Sequence, residues 1–267
     1  MKTLKKVYIS LVLIFMYAPI AVLITFSFNE SRSRANWTGF TFNWYLELFQ
    51  DQRIINALST TLTIALFSTL IAVVLGTAAA LGIHSMKPAT GRSIMAINNI
   101  PVVNPEIVMG VSLMILYIYI CRFFAADFEL GYVTLLLAHL SFITSYVVLS
   151  VLPKLRQMDK NIFEAALDLG ATPLQGFFKV ILPKITPGIV TGALLAFTVS
   201  IDDFVVSFFT AGSGVETLSM VIYSMTKRGI NPKINAISTL LFVFVISLLY
   251  VVNMRDNRGR KTEEEAL

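Results

Sequence analysis

Six apolar runs alternate with polar segments along the chain: residues 7–28, 58–83, 105–124, 131–152, 188–211 and 235–253. Each has about the twenty residues a helix needs to cross a hydrocarbon core. The pattern predicts an all-α, polytopic membrane protein with six transmembrane helices, forming one domain over residues 1–267. The first run follows a basic start and lacks the short apolar core and small-residue cleavage site of a signal peptide, so it is expected to stay as a span. Residues 29–56, which include Trp37, Trp44 and Tyr45, hold too little apolar content for a domain of their own. Residues 84–98 read as a short basic loop, and Asn104-Pro105-Glu106 as the capped start of the third span. A short outer helix is expected over residues 217–226.

The longest polar interruption, residues 153–187, carries local signals of its own. Asp159 can cap a helix whose apolar residues Ile162, Phe163, Ala166 and Leu167 fall at helical spacing, and Gly170 sits where a left-handed stop belongs. Thr172-Pro173 repeats the start signal, so a second short helix is expected through Val180, ending before Pro183. An amphipathic pair of this kind could simply lie on the membrane surface.

At 56% hydrophobic and 14% charged residues, with mean hydropathy +0.74, the composition excludes an ordinary soluble protein. The net charge of +5 points to topology rather than to nucleic acid, because the basic residues fall between spans and no nucleic-acid motif accompanies them. With the N-terminus inside, 14 of the 21 lysines and arginines lie on the inner side. Both termini, and residues 153–187, are therefore expected in the cytoplasm. The single cysteine, Cys121, cannot form an internal disulfide. No glycine loop with a lysine is present for phosphate binding, and His84 and His139 lack the spacing of a metal site. The expectation is a non-enzyme with no catalytic residue, metal or cofactor of its own, and with His139 as a hydrogen-bonding residue between helices. Residues 255–267 are a charged tail to which no function is assigned.

Asp202 and Asp203 are the informative charges. An acid within a span costs about 2.5–3.5 kcal/mol on insertion scales, so an adjacent pair demands a partner, water or a cationic ligand. Neighbouring residues on a helix point about 100° apart. One acid is expected to line a pathway while the other pairs with a neighbouring helix; the structural alternative is a polar lock between subunits. Glu106 adds a weaker candidate, since the helix dipole already favours an acid there. Trp44 and Tyr45 suit either the mouth of an organic-cation pathway, through cation–π contact, or interfacial anchoring. The acid pair alone would equally suit the proton relay of a proton-coupled carrier, which leaves residues 153–187 unexplained.

Glu164-Ala165-Ala166, three residues, Gly170, nine residues and then Val180-Ile181-Leu182-Pro183 resembles the EAA loop of ABC importer permeases, with Val180 where that family usually has Ile. The resemblance implies a MetI-like permease fold in a bacterial inner membrane. It implies that Glu164, Ala165, Ala166, Gly170, Leu182 and Pro183 belong to a coupling segment that docks into a dimeric cytoplasmic ATPase, which would bind ATP and magnesium. A second likeness is to the spermidine/putrescine permease group. It rests on Ser200-Ile201-Asp202-Asp203-Phe204-Val205, Thr217-Leu218, Ile222-Tyr223-Ser224-Met225, Asn231-Pro232 and the Trp44-Tyr45 pair. That likeness implies a second permease subunit, an extracytoplasmic polyamine-binding protein, surrounding membrane lipid, and a polyamine passing Asp202, Asp203, Glu106, Trp44 and Tyr45. Permeases for other small solutes share parts of the pattern, so another cargo is the alternative.

Overall fold

The computed structural model describes residues 2–31, 36–123, 129–159, 161–227, 229 and 231–247. Nearly all of them are helical, as the apolar runs demand: α1 (Lys2–Ser27), α2 (Asn43–Gln50), α3 (Gln52–Ser85), α4 (Pro88–Val103), α5 (Glu106–Phe123), α6 (Tyr132–Gln157), α7 (Asn161–Asp168), α8 (Pro173–Gly176), α9 (Leu182–Asp202), α10 (Val205–Thr210), α11 (Leu218–Lys227) and α12 (Pro232–Ser247). Among the described residues, five helical stretches are long and apolar enough to cross a membrane: Lys5–Ser27, Gln52–Ser85, Glu106–Phe123, Tyr132–Gln157 and Pro173–Asp202. The sixth expected span begins in α12, and residues 248–253 of it lie outside the described residues, as do Phe124 and the 255–267 tail.

Residues 57–220 form one compact unit, and residues 1–56 with 221–267 form another. In the first, α6 is the core: Leu135, Ile143, Val147, Val148, Val151, Leu152 and Leu155 are each 1% exposed or less. α9 packs along α6 because Gly188 and Gly192, four residues apart, share a face. A Cβ at Gly188 would stand 2.9 Å from the Ser150 carbonyl oxygen, and one at Gly192 3.0 Å from Val147 Cα. Small residues at this spacing are what lets membrane helices approach where burial from water supplies no drive. α5 keeps an exposed apolar surface, Ile107, Val108, Ile115 and Leu116, suited to lipid or to a neighbouring subunit.

Three sequence expectations are corrected in this unit. Residues 84–98 are no loop: α4 starts with Pro88 at its first position and turns Ile94 and Met95 onto the core. The helix expected to stop before Pro183 instead continues through it. Between α8 and α9, residues Phe177–Ile181 form a π-turn, in which the Leu182 N–H donates to the Phe177 carbonyl, five residues back. The wider turn absorbs a proline that lacks an N–H and would crowd the carbonyl four residues before it. Finally, the run 188–211 is not one helix: α9 ends at Asp202, Asp203 is extended (φ −62°, ψ 125°), and α10 begins at Val205.

In the second unit α1 exposes apolar side chains such as Tyr8, Leu11 and Phe15 all round, as a lipid-facing helix does. The described residues of the segment after it carry pairings of their own. An antiparallel bridge joins Asn29 to Phe40, and Phe28 stacks on Phe40 with ring centres 5.2 Å apart. The Asn29 side chain donates to the Asn36 carbonyl at 2.9 Å and accepts from the Thr38 N–H at 3.2 Å. α2 follows, with Trp44 and Leu48 buried.

Candidate functional site

The break after α9 is built by one carboxylate. Asp203 accepts from the Val206 N–H (3.2 Å), the Ser207 N–H (2.7 Å) and the Ser207 hydroxyl (2.8 Å), and so satisfies the free donors at the start of α10. Ser207 has a single hydroxyl hydrogen, which goes to Asp203. His139 on α6 therefore donates from Nε2 to Ser207 Oγ at 3.0 Å, and its Nδ1 accepts from the Ser200 hydroxyl at 2.7 Å. Ser68 of α3 reaches Ser200 at 3.5 Å. His139, Ser200 and Ser207 are all buried, so the chain Ser200–His139–Ser207–Asp203 ties α6, α9 and α10 together inside an apolar core.

Asp202 is exposed, on a cavity of about 300 Å³ that Glu106, Tyr146, Phe142, Asp203 and Phe204 also line. Three of the sequence candidates, Glu106, Asp202 and Asp203, thus meet at one place. Their environments differ: Asp203 is buried and accepts three internal hydrogen bonds, whereas Asp202 and Glu106 are exposed. Trp44 and Tyr45 belong to the other unit. The Trp44 indole N–H donates to the Asn29 carbonyl at 2.7 Å, and the Tyr45 hydroxyl lies 2.7 Å from Ser27 Oγ.

The 153–187 segment follows its local signals closely up to the π-turn. The backbone N–H of Asn161 donates to the Asp159 carboxylate at 3.0 Å. α7 then ends in a two-bond closure: the Gly170 N–H donates to the Leu167 carbonyl (2.9 Å) and the Ala171 N–H to the Ala166 carbonyl (3.1 Å), with Gly170 at φ +84°. Thr172 and Gln175 exchange reciprocal bonds, 3.3 Å from the Gln175 N–H to Thr172 Oγ1 and 3.1 Å from the Thr172 N–H to Gln175 Oε1. The Phe163 ring lies on Gly176, where a Cβ would come within 2.9 Å of it, and so holds α7 against α8. Glu164, Ala165, Gly170 and Pro183 are exposed, and Ala166 and Leu182 are half-buried. Beside them Leu169, Leu174 and Phe178 are 90%, 70% and 58% exposed. That apolar tip was not singled out in the sequence, although Leu169 and Leu174 flank the corner.

Ser207 was missed as well. Its signal was present, a hydroxyl four residues after an intramembrane acid, but its link to His139 spans 68 positions and is legible only in the fold.

Comparison with known proteins gives a consistent picture. Residues 72–255 match the family described as binding-protein-dependent transport system inner membrane component. The chain is 40% identical over 228 residues to the putrescine transport system permease protein PotI of Escherichia coli (strain K12), covering 85% of this chain and 81% of that one. It is 35% identical over 246 residues to the spermidine/putrescine transport system permease protein PotC of Haemophilus influenzae, covering 92% and 93%. Among solved structures, a bacterial ABC transporter involved in importing the acidic polysaccharide alginate matches with a TM-score of 0.75 at 17% identity, over 96% of this chain and 94% of that one. The alginate transporter in complex with its pentasaccharide-bound periplasmic protein matches at 0.74 and 18%, over 96% and 93%. These two likenesses speak for the fold.

Proposed function

The chain belongs to the family of binding-protein-dependent transport system inner membrane components, and on that premise we propose that it is the polyamine-translocating permease subunit of an ATP-driven ABC importer. It would work with a second permease subunit, a cytoplasmic ATPase dimer that binds ATP and magnesium, and an extracytoplasmic polyamine-binding protein, with both of its own termini in the cytoplasm. The cargo assignment draws on relatives named for putrescine and spermidine.

The observation that carries the reading is the division of labour at the helix break. Asp203 spends its charge on α10, so the carboxylates left for a cation in the cavity are Asp202 and Glu106. A polyamine is a flexible chain of ammonium groups and methylenes. Carboxylates with aromatic neighbours such as Tyr146 and Phe204 suit both parts of it.

The exposed corner at Glu164, Ala165, Ala166 and Gly170 would dock on the ATPase, with Leu182 and Pro183 at the root of α9. Closure of the ATPases would move the corner, tilt α9 and exchange an outward opening for an inward one. Trp44 and Tyr45 would flank the outer approach.

Uptake of labelled putrescine and spermidine into membrane vesicles that hold the whole transporter tests the proposal. Uptake is expected only with both ATP and the binding protein. Uptake driven by a proton gradient without ATP would overturn it.

A further inference from the structure

A cavity of about 500 Å³ lies wholly within the unit formed by residues 1–56 and 221–267. Trp44, Val221 and Met225 give it an apolar wall. Trp44 is 7% exposed, and its bond to the Asn29 carbonyl fixes the plane of the ring. The charged lining consists of Glu47, Asp51, Arg53 and Lys233, two acids and two bases. Arg53 reaches toward Ser224 Oγ at 3.4 Å. Lys233 Nζ stands between the acids, 3.3 Å from Glu47 Oε2 and 3.6 Å from Asp51 Oδ2.

Beyond its Cα, a lysine side chain is a primary ammonium on four methylenes. The cavity therefore already holds an alkylammonium on a pair of carboxylates beside an aromatic ring, and the alkylammonium is the chain's own. Lys233, Glu47 and Asp51 keep some solvent contact, at 20%, 45% and 34% exposure. Exposed ion pairs of this kind are weak and exchange readily. Tethering places the Lys233 ammonium at an effective concentration in the millimolar range, enough to compete with an arriving cation.

We infer that Glu47 and Asp51 form an exchange site for the terminal ammonium of a linear alkylamine, with Lys233 as its resident competitor. An arriving amine displaces Lys233 from the two carboxylates, and Lys233 displaces the amine in turn. The cavity is then a waypoint rather than a trap: two vacant acids would hold a dication, whereas a returning lysine shortens its stay. The identity of the amine as cargo rests on the polyamine reading above; the ammonium chemistry of the site does not.

Trp44 reports on the site directly. The chain has two tryptophans, Trp37 and Trp44, so the full-length W37F chain in lipid nanodiscs carries Trp44 alone. Its emission is titrated with putrescine and, separately, with n-butylamine. A saturable change is expected with both. In Lys233→Gln the half-saturating concentration should fall about fivefold, the size of one exposed ion pair, whereas Lys233→Arg should keep the original value. Glu47→Gln with Asp51→Asn should abolish the change. No response in any variant, a response indifferent to Lys233→Gln, or one that survives loss of both acids would overturn the inference. Uptake by the complete transporter separates the two claims. A normal fluorescence response without polyamine transport removes the cargo reading alone, and normal transport without the response removes the exchange site alone.

Discussion

The helical stretch from Pro173 to Asp202 joins two ends that have been solved in opposite ways. At the α7–α8 end the corner is held by short-range bonds, Gly170 with Leu167 and Thr172 with Gln175, while Leu169, Leu174 and Phe178 stand exposed. At the Asp202 end the polar groups are buried and paired across distant parts of the chain, with His139 bridging Ser200 and Ser207. The first is a preformed shape whose apolar surface stands exposed. The second is a closed polar network that fixes where a helix breaks and leaves Asp202 facing a cavity. Close packing along α6, through Gly188 and Gly192, connects the two.

If the corner is a docking surface, Glu164→Lys should take polyamine uptake to background while the protein's level in the membrane stays unchanged. Normal uptake by that variant would leave the exposed end without a role. At the other end, Asp203→Ala strips three hydrogen bonds from the start of α10 and should lower stability by about 3 kcal/mol, seen as an earlier thermal denaturation midpoint in detergent. A midpoint equal to the wild type would mean that the network does not hold the break. Asp202→Asn sharpens the contrast. It should leave stability within about 0.5 kcal/mol of wild type, and so the midpoint nearly unmoved, yet reduce uptake about tenfold, which corresponds to about 1.4 kcal/mol. Equal behaviour of the two aspartate variants in both assays would erase the distinction between them. The smallest effect is expected for Gly170→Ala. No atom lies within 4 Å of the added Cβ, so the cost is the left-handed backbone alone, about 1 kcal/mol. Amide hydrogen exchange confined to residues 161–176 should register it, and unchanged protection there would argue against a fixed corner.

What was legible in the sequence divides along the same line. The spans could be read because crossing a hydrocarbon core imposes a length and a composition. The corner could be read because each of its devices, the Asp159 cap, the Gly170 stop and the Thr172-Pro173 restart, acts over five residues or fewer. The break after Asp202 was hidden, since Phe204-Val205-Val206 prolongs an apolar run and only Asp203's own bonds to residues 206 and 207 end the helix. α4 was hidden by Lys87 and Arg92, which mark a basic loop as well as they mark the cap and the exposed side of a helix that turns Ile94 and Met95 onto the core. His139 was expected as a bonding residue between helices, but the partners that give it meaning lie 61 and 68 positions away.

The wide turn at Phe177–Ile181 has a consequence for how the inner tip is aimed. In a regular helix each residue advances the azimuth by about 100°. A turn that carries one residue more than its neighbours resets the phase of everything before it relative to α9. Winding the same residues as regular α-helix would swing Glu164 about a quarter of the way round the axis without disturbing the packing of α9 on α6. The direction in which the tip faces is thus set by the width of a single turn, independently of the span it is attached to.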